Sequence, residues 1–391
     1  MSRQYAGFFV IRWKWTMKKD KVLSYLIGAV SLLLYGAGMA FTLLENRLVV
    51  SELVPMLEGM LSFQVAFLFA YYLQIIVHEG AHLVFGLLSG YRFLSFRIGD
   101  WTLMKKEDGF SLKRYHLAGT LGQCLMAPPE LKDGKYPCTL YHLGGVLMNL
   151  IVVLLCVLIR IVFPLKGFFN SFINMSIVTG IVMILNNGVP LKTELVSNDG
   201  YNALYQKKDR RIALSNWMTL KIYELQCQGV RMKDMDENWF AAGEGSDLNR
   251  YDEAVKMYYR HLMAMDKHDF DKADEFCDEL LKDDSELSGI LRDLLSLDRI
   301  YLDLIRKGSA ADLSLLEEKK MKGILRTMKD HPSILRVLYT VSLAKKDDEQ
   351  AHRIMRQFEK RMKTYPYSGE IETEKELMEI AEKKLRVMEE G

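Results

Sequence analysis

A short motif in the N-terminal half carries the side chains best suited to chemistry. His78, Glu79 and His82 form the pattern H-E-x-x-H. Residues four apart lie on one face of a helix, one turn apart, so both imidazoles can bind a single zinc ion. Glu79 then lies beside the metal, where its carboxylate can accept a proton from water. The spacing therefore predicts a metal site with a general base.

The motif lies within an apolar stretch of the chain. This stretch extends from about residue 61 to residue 88, which is long enough to cross a bilayer. So short a motif also occurs by chance, but ionisable groups are costly at membrane depth and therefore indicate function. About 18 residues separate Met60 from His78, roughly 27 Å of helix. We therefore expect the site near the inner edge of the membrane, within reach of cytosolic water.

The elements that must position this motif are further membrane helices. Apolar runs predict four spans within a membrane domain of residues 22–200, at about 22–44, 60–88, 141–163 and 168–187. A signal peptide is the alternative to the first span, but the apolar stretch of residues 22–44 is too long for the apolar region of a usual signal peptide. Basic residues in segment 1–21 and between the second and third spans place both segments in the cytoplasm. A multi-pass protein with cytoplasmic N- and C-termini follows.

The polar segment of residues 91–138 separates the second span from the third. Residues 91–99 alternate between apolar and polar side chains, and Asp108-Gly109 lies between two such stretches. This pattern predicts a small cytoplasmic β-hairpin region. A hairpin at the membrane edge can pair with an extended substrate strand, and a plain connecting loop is the alternative.

The third metal ligand has several candidates. A zinc enzyme uses three protein ligands and keeps one position open. Four spans with a cytoplasmic start return the Asp199-Gly200 turn to the side of the membrane that carries the histidines, and we therefore choose Asp199. Asp-Gly turns are also common in loops without metals, so Glu130, His142 and Glu194 remain alternatives on the same side.

Small and polar residues in the last two spans predict close helix packing. Gly144 and Gly145 permit close approach of a neighbouring helix, and Asn149 needs a hydrogen-bond partner across a helix interface. The fourth span contains several polar side chains, so we expect other helices to shield it from lipid. Asn187 and Pro190 end this span, and the broken helix requires cover by protein or a water-filled cavity.

Residues 201–391 differ from the membrane domain in composition. They are rich in charged residues with helical apolar spacing, which predicts a soluble cytoplasmic domain of helix pairs, tetratricopeptide-like in arrangement. Such a domain could bind a protein partner, and simple solvation of its charged faces is the alternative. The whole chain contains no basic stripe with interleaved aromatic residues, so we expect no nucleic-acid partner; its net charge of +2 is by itself uninformative on this point. The five cysteines form no C-x-x-C, so we interpret them as reduced packing residues.

These motifs together resemble the site-2 protease family of intramembrane zinc metalloproteases. The resemblance covers roughly residues 60–200 and rests on three elements: His78-Glu79 with His82, Gly144-Gly145 with Asn149, and Asn187 with Pro190 followed by Asp199-Gly200. Two features depart from the family pattern. The family has a shorter gap between the proline and the aspartate, and Tyr201 stands where it often has a second glycine.

The resemblance implies a fold and an activity. The family has a core of three spans, matching roughly residues 60–200. With the four spans read from the apolar runs, we expect an all-α polytopic membrane protein of about four transmembrane helices, extended by the hairpin region and the helical domain. One zinc ion per chain would be held by His78, His82 and Asp199, with Glu79 as the catalytic base. Its substrates would be membrane proteins, cut in or near their membrane-spanning segments, with Asn149 or Asn187 as oxyanion donors.

A non-enzymatic function is the alternative interpretation of the same residues. The chain would then be a membrane scaffold with a structural metal site, and its helical domain would recruit partners. His142 or Glu130 would serve as a fourth protein ligand in such a closed site. The acidic side chain of Glu79 favours the protease, since a scaffold needs no carboxylate beside its metal.

From the resemblance to the site-2 protease family we also expect the chain in the lipid bilayer of a bacterial plasma membrane.

Overall fold

The computed structural model describes residues 3–46, 53–106, 109–115, 121–192, 197–241, 247–282, 285–287 and 289–390. The chain divides into two compact units. We call the first the membrane unit; it comprises Met1–Phe93, Leu121–Cys124 and Pro129–Arg210. We call the second the helical unit; it comprises Leu94–Thr120, Leu125–Pro128 and Arg211–Gly391.

Four long helices dominate the membrane unit: α1 (Arg3–Glu45), α2 (Leu53–Leu88), α3 (Thr139–Val162) and α4 (Gly167–Gly188). Each contains a segment long and apolar enough to cross a membrane, with a mean hydropathy between 1.8 and 2.8. These segments lie where the four spans were predicted, although the second begins earlier, at Val54. Four such helices are compatible with a multi-pass membrane protein.

Helix α4 lies at the centre of this helix bundle. It packs against α1, α2 and α3, and its polar side chains are buried, among them Asn174, Ser176 and Thr179. This burial agrees with the expectation that other helices shield the fourth span. At one end of the bundle, Glu45 of α1 pairs with Arg160 of α3 and accepts a hydrogen bond from Asn174 of α4. The pairing joins three helices through a carboxylate that is otherwise costly near lipid.

A four-stranded sheet stands between α2 and α3 in the sequence: β1 (Arg92–Ile98), β2 (Trp101–Lys106), β3 (Gly109–Arg114) and β4 (Gly122–Ala127). Its strand order is β3-β2-β1-β4. Antiparallel pairing of β2 with β3 sets Lys106 opposite Gly109, so a hairpin occupies the predicted region; Asp108 of the predicted turn lies outside the described residues. The sheet is larger than the predicted hairpin because β4 returns to pair beside β1.

Helix α5 (Asp199–Lys208) follows α4, and the helical unit then contains nine α-helices in its described part. These are α6 (Arg210–Cys227), α7 (Tyr251–Asp266), α8 (Phe270–Leu280), α9 (Gly289–Lys307), α10 (Ser314–Glu317), α11 (Lys319–Thr327), α12 (Pro332–Ala344), α13 (Asp348–Met362) and α14 (Ser368–Glu390). Consecutive helices pack as pairs, such as α7 with α8 and α12 with α13. The helical character predicted for this region is therefore present; its assignment to the tetratricopeptide class stays a prediction.

A buried charge network joins the helices of this unit. Arg336 of α12 is 1% exposed and donates to Glu374 of α14 and to Asp298 of α9. Asp298 also accepts a hydrogen bond of 3.0 Å from His261 of α7. Charges removed from water are tolerated only when they are paired and hydrogen-bonded. The network therefore makes the mutual arrangement of four helices depend on one guanidinium group.

We predict that Arg336→Met destabilises the helical unit by roughly 3–5 kcal/mol, because two carboxylates lose their buried counter-charge. Amide hydrogen exchange of α12 and α14 measures this as a loss of local unfolding free energy. Arg353→Met is the matched control, since the pair of Arg353 with Glu349 is exposed on both sides. It should cost under about 0.5 kcal/mol. Equal costs for the two variants would contradict a structural role for the network.

Candidate metal centre

Three side chains from distant parts of the chain meet at one point in the membrane unit. His78 Nε2 lies 3.1 Å from Asp199 Oδ2, and His82 Nε2 lies 3.4 Å from the same oxygen. The two Nε2 atoms are 3.3 Å apart. Both histidines are buried, and the side chain of Asp199 is 19% exposed. All three ligand atoms lie within 4.8 Å of one another, so the group could hold a metal ion.

Hydrogen bonds at the other ring nitrogen orient both histidines. His78 Nδ1 donates to Asn149 Oδ1 over 2.6 Å, and His82 Nδ1 donates to the carbonyl oxygen of Tyr141 over 2.7 Å. A donating Nδ1 leaves the lone pair on Nε2, which is the atom that points into the group. Metal-ligating histidines are commonly held in this way by a carbonyl or carboxylate acceptor. Both imidazoles are therefore oriented so that Nε2 can bind a metal while Nδ1 keeps its hydrogen.

A buried glutamine fixes the orientation of Asn149. The Nδ2 group of Asn149 donates to Gln74 Oε1 over 2.7 Å and to the Gln74 carbonyl oxygen over 3.1 Å. Gln74 Nε2 in turn donates to the carbonyl oxygen of Ser176 on α4 over 2.8 Å. Asn149 and Gln74 are fully buried. Because each amide faces a fixed donor or acceptor, Asn149 can only present its oxygen to His78.

Two glycines let the backbone approach the group closely. A Cβ atom at position 145 would lie 2.5 Å from the His78 ring, and a Cβ atom at position 200 would lie 2.2 Å from the carbonyl oxygen of Gly188. Contacts this short force a shift of the neighbouring atoms. Gly145 of α3 therefore makes room for His78, and Gly200 lets the first turn of α5 approach the end of α4.

Asp199 is ionised in this arrangement. It is the first residue of α5, which packs against α3 and α4. Burial opposes its charge, but the adjacent imidazoles of His78 and His82 outweigh burial and hold the pKa of Asp199 well below its usual range. A helix N-terminus also favours a negative charge. An ionised carboxylate at this point suits a cationic ligand.

Glu79 lies on the side of the site where β4 passes. A Cβ atom at position 122 would lie 2.6 Å from Glu79 Oε1, so β4 passes close to the carboxylate and a side chain there would require Glu79 to move. Cys124 lies two residues after Gly122 on β4. Burial raises the pKa of its thiol, and the negative charge of Glu79 raises this pKa further, so the thiol stays neutral. The Tyr141 hydroxyl donates to the Cys124 carbonyl oxygen over 3.0 Å, joining α3 to this strand.

Two of the alternative ligands, His142 and Glu130, take no part in the group that the structure describes. His142 Nε2 accepts a hydrogen bond of 3.1 Å from Gln206, and Gln206 accepts one of 3.0 Å from Tyr136. Among the residues that the structure describes, the metal-capable group contains neither His142 nor Glu130. Glu194 lies outside them.

Sequence reasoning missed three groups that shape the site: Gln74, the Tyr141 carbonyl and Gly122. A glutamine one helical turn before His78, in an otherwise apolar run, is a signal that could have identified Gln74. The Tyr141 carbonyl and Gly122 carry no such signal, because their roles depend on which elements pack together.

Comparison with protein-family models, with curated proteins and with solved structures found no match to this chain. The resemblance to the site-2 protease family therefore rests on the motifs alone.

We predict that Gly145→Ala weakens the binding of Zn²⁺ by about 10–100-fold, because the added methyl displaces the His78 ring from its bond with Asn149. Titration against a chromophoric chelator measures this affinity in detergent. Gly80→Ala is the matched control: it lies inside the motif itself, yet its Cβ would meet nothing within 4 Å. The control should bind Zn²⁺ like the parent. Parent-like affinity in Gly145→Ala would show that the close contact with His78 is unimportant.

Proposed function

We propose that this chain is an intramembrane zinc metalloprotease similar to the site-2 protease family. The observation that carries the proposal is the meeting of His78, His82 and Asp199, with both histidine Nε2 atoms directed at the carboxylate. The histidines belong to a helix apolar enough to span a membrane. Three ligand-type side chains at such a place are costly unless they serve a bound ion.

The donor atoms of the group suit zinc. Two imidazole nitrogens and one carboxylate oxygen form a ligand set typical of catalytic zinc, which keeps its fourth position for water or substrate. A structural site in a scaffold would need a fourth protein ligand. The metal-capable group has three members in the part of the chain that the structure describes. This count favours the enzyme over the scaffold.

The proposed reaction is hydrolysis of a peptide bond. Zinc bound here would supply a Lewis acid that makes a water molecule acidic and polarises the substrate carbonyl. Glu79 accepts a proton from the water as the water oxygen forms a bond to the carbonyl carbon. Glu79 then passes this proton to the amide nitrogen as the carbon–nitrogen bond breaks. His78, His82 and Asp199 hold their positions throughout.

The oxyanion role expected of Asn149 needs revision. Its oxygen accepts from His78, and its Nδ2 group donates to two oxygens of Gln74. No hydrogen of this amide is left for a developing oxyanion, so we assign Asn149 to the orientation of His78. Asn187 donates to the carbonyl oxygen of Met183 over 3.2 Å, and one Nδ2 hydrogen remains for it to offer.

Substrates of this enzyme would be membrane proteins that present an extended segment. A helical backbone is already hydrogen-bonded, so a substrate helix must unwind before its peptide bond can reach Glu79. Strand β4 lies at the outside of the sheet order and touches Glu79 through Gly122. An outer strand can pair with an extended peptide. Membrane segments with helix-weakening residues are therefore the substrates we propose.

The proposed orientation of the enzyme follows from the basic segments, which put the N- and C-termini in the cytoplasm. The resemblance to the site-2 protease family favours a bacterial plasma membrane as the location of the four spans. The helical unit, tetratricopeptide-like in its pairs, would bind a protein partner from the cytoplasmic side.

We predict that the parent chain, purified in detergent, holds one zinc ion per chain and that Asp199→Ala holds almost none. Loss of the carboxylate leaves two neutral imidazoles, which bind a divalent cation far more weakly. Elemental analysis gives the stoichiometry. Glu130→Ala removes a rival ligand and should retain the zinc. Full retention in Asp199→Ala, or loss in Glu130→Ala, would move the third ligand elsewhere.

We predict that Glu79→Gln stays folded and keeps its zinc but cleaves at least about 100-fold more slowly, because an amide cannot accept the proton. The assay uses vesicles that contain the enzyme with single-span polypeptides carrying glycine or proline near the cytosolic end of the span. Glu58→Gln is the control, as an exposed glutamate of the same helix, and should cleave at the parent rate. Parent-like cleavage by Glu79→Gln would remove Glu79 from its role.

A further inference from the structure

Asn198, the residue before the third ligand, uses its whole side-chain amide in hydrogen bonds. Its Nδ2 group donates to the carbonyl oxygens of Asn186 and Val189, over 2.7 Å and 2.6 Å. Its Oδ1 atom accepts from the backbone N–H groups of Leu191 and Tyr201, each over 3.0 Å. The four bonds connect the end of α4 with the first turn of α5.

The two carbonyl groups are ones that the broken helix leaves without their usual donors. In a continuous helix, the N–H of residue 190 would donate to the carbonyl of Asn186. Position 190 is a proline, which has no N–H group. Asn198 Nδ2 supplies the missing donor and also donates to the carbonyl of Val189, the C-cap residue of α4. Unpaired carbonyls beside an apolar bundle would otherwise be costly.

The same amide begins the next helix. Asn198 is the N-cap of α5, because its Oδ1 atom accepts from the N–H of Tyr201. Its backbone N–H donates to the Leu191 carbonyl over 3.2 Å, which closes the intervening loop at its base. The end of α4 and the start of α5 are thus held together at the residue next to Asp199.

The close approach of Gly200 belongs to the same junction. A side chain there would collide with the carbonyl of Gly188, so α5 can begin against α4 only with glycine at this position. Pro190 and Asp199 are farther apart in the sequence than in the site-2 protease pattern. Hydrogen bonds between Leu191 and Asn198 nevertheless bring the two flanking positions together.

We propose that Asn198 is a positioning residue for the metal centre, acting by fixing Asp199 relative to the histidines through its bonds to α4. The proposal rests on the function proposed above. Both halves of the amide are required: the oxygen caps α5, and the NH₂ group holds α4. An ordinary N-cap needs only the oxygen.

The experiment is the rate of zinc release to excess chelator from the full chain in detergent. Asn198→Asp keeps a good N-cap oxygen but loses both donors to α4, and we expect zinc release about 10–100-fold faster than in the parent. Asn202→Ala is the matched control. It removes an asparagine amide of the same helix that donates to the Ser197 carbonyl over 3.1 Å. It should change the rate by less than about twofold.

A role limited to helix capping gives a different result. Aspartate caps helices as well as asparagine does, so a capping residue would leave zinc release in Asn198→Asp at the parent rate. That outcome overturns the proposal, as does equal acceleration in Asn202→Ala. Amide hydrogen exchange of α5 should remain close to the parent in Asn198→Asp, which separates displacement of the ligand from melting of the helix.

The readout also separates this proposal from the proposed function. A parent that holds zinc without cleaving any of the vesicle substrates contradicts the protease, while the release rates still decide the role of Asn198. A parent that binds no zinc overturns both.

Discussion

The membrane unit depends on the cost of leaving a polar atom unpaired among apolar helices. Gln74 and Asn149 are fully buried, and a buried amide without partners would cost several kcal/mol. Each therefore bonds to the next, from the Ser176 carbonyl through Gln74 and Asn149 to His78. Every donor in this series of hydrogen bonds faces an acceptor, so neither amide can be turned over. The series thereby fixes the orientation of the His78 imidazole on α2 relative to the backbone of α4.

Local pattern predicted much of this architecture. Apolar runs locate membrane-length helices because hydropathy is a property of each segment alone, and His78 with His82 share a helix face by spacing alone. Asp199 required a further step, the topology that returns it to the same side. Gln74 could be singled out as a polar residue in an apolar run, but its partner on α4 could not be predicted, because it depends on which α4 carbonyl faces α2. The rotation of α4 about its own axis, which decides this pairing, is set by the packing of the whole bundle, including the close approach that Gly145 allows.

The sheet shows the same limit more strongly. Alternation and a turn signal indicate a hairpin, which occurs as β2–β3. Strand β4 is a short apolar run, and such runs do not distinguish a strand from a buried helical segment. Its place beside β1 is a pairing across part of the chain, and no local feature specifies it. The contact of Gly122 with Glu79 follows only from that pairing, so the strand that lines the proposed substrate path could not be foreseen.

Two histidines on one helical turn cannot define a metal site by themselves. A third ligand must come from another element, and the candidate here, Asp199, belongs to a helix that begins just after a broken one. Pro190 ends α4 and so creates both the break and the unpaired carbonyls. Asn198 pairs with those carbonyls and, in doing so, sets where α5 begins. The polar atoms exposed by the break are therefore what determines the position of Asp199. In a continuous helix these carbonyls would be paired with backbone N–H groups, and Asn198 would have no acceptors on α4.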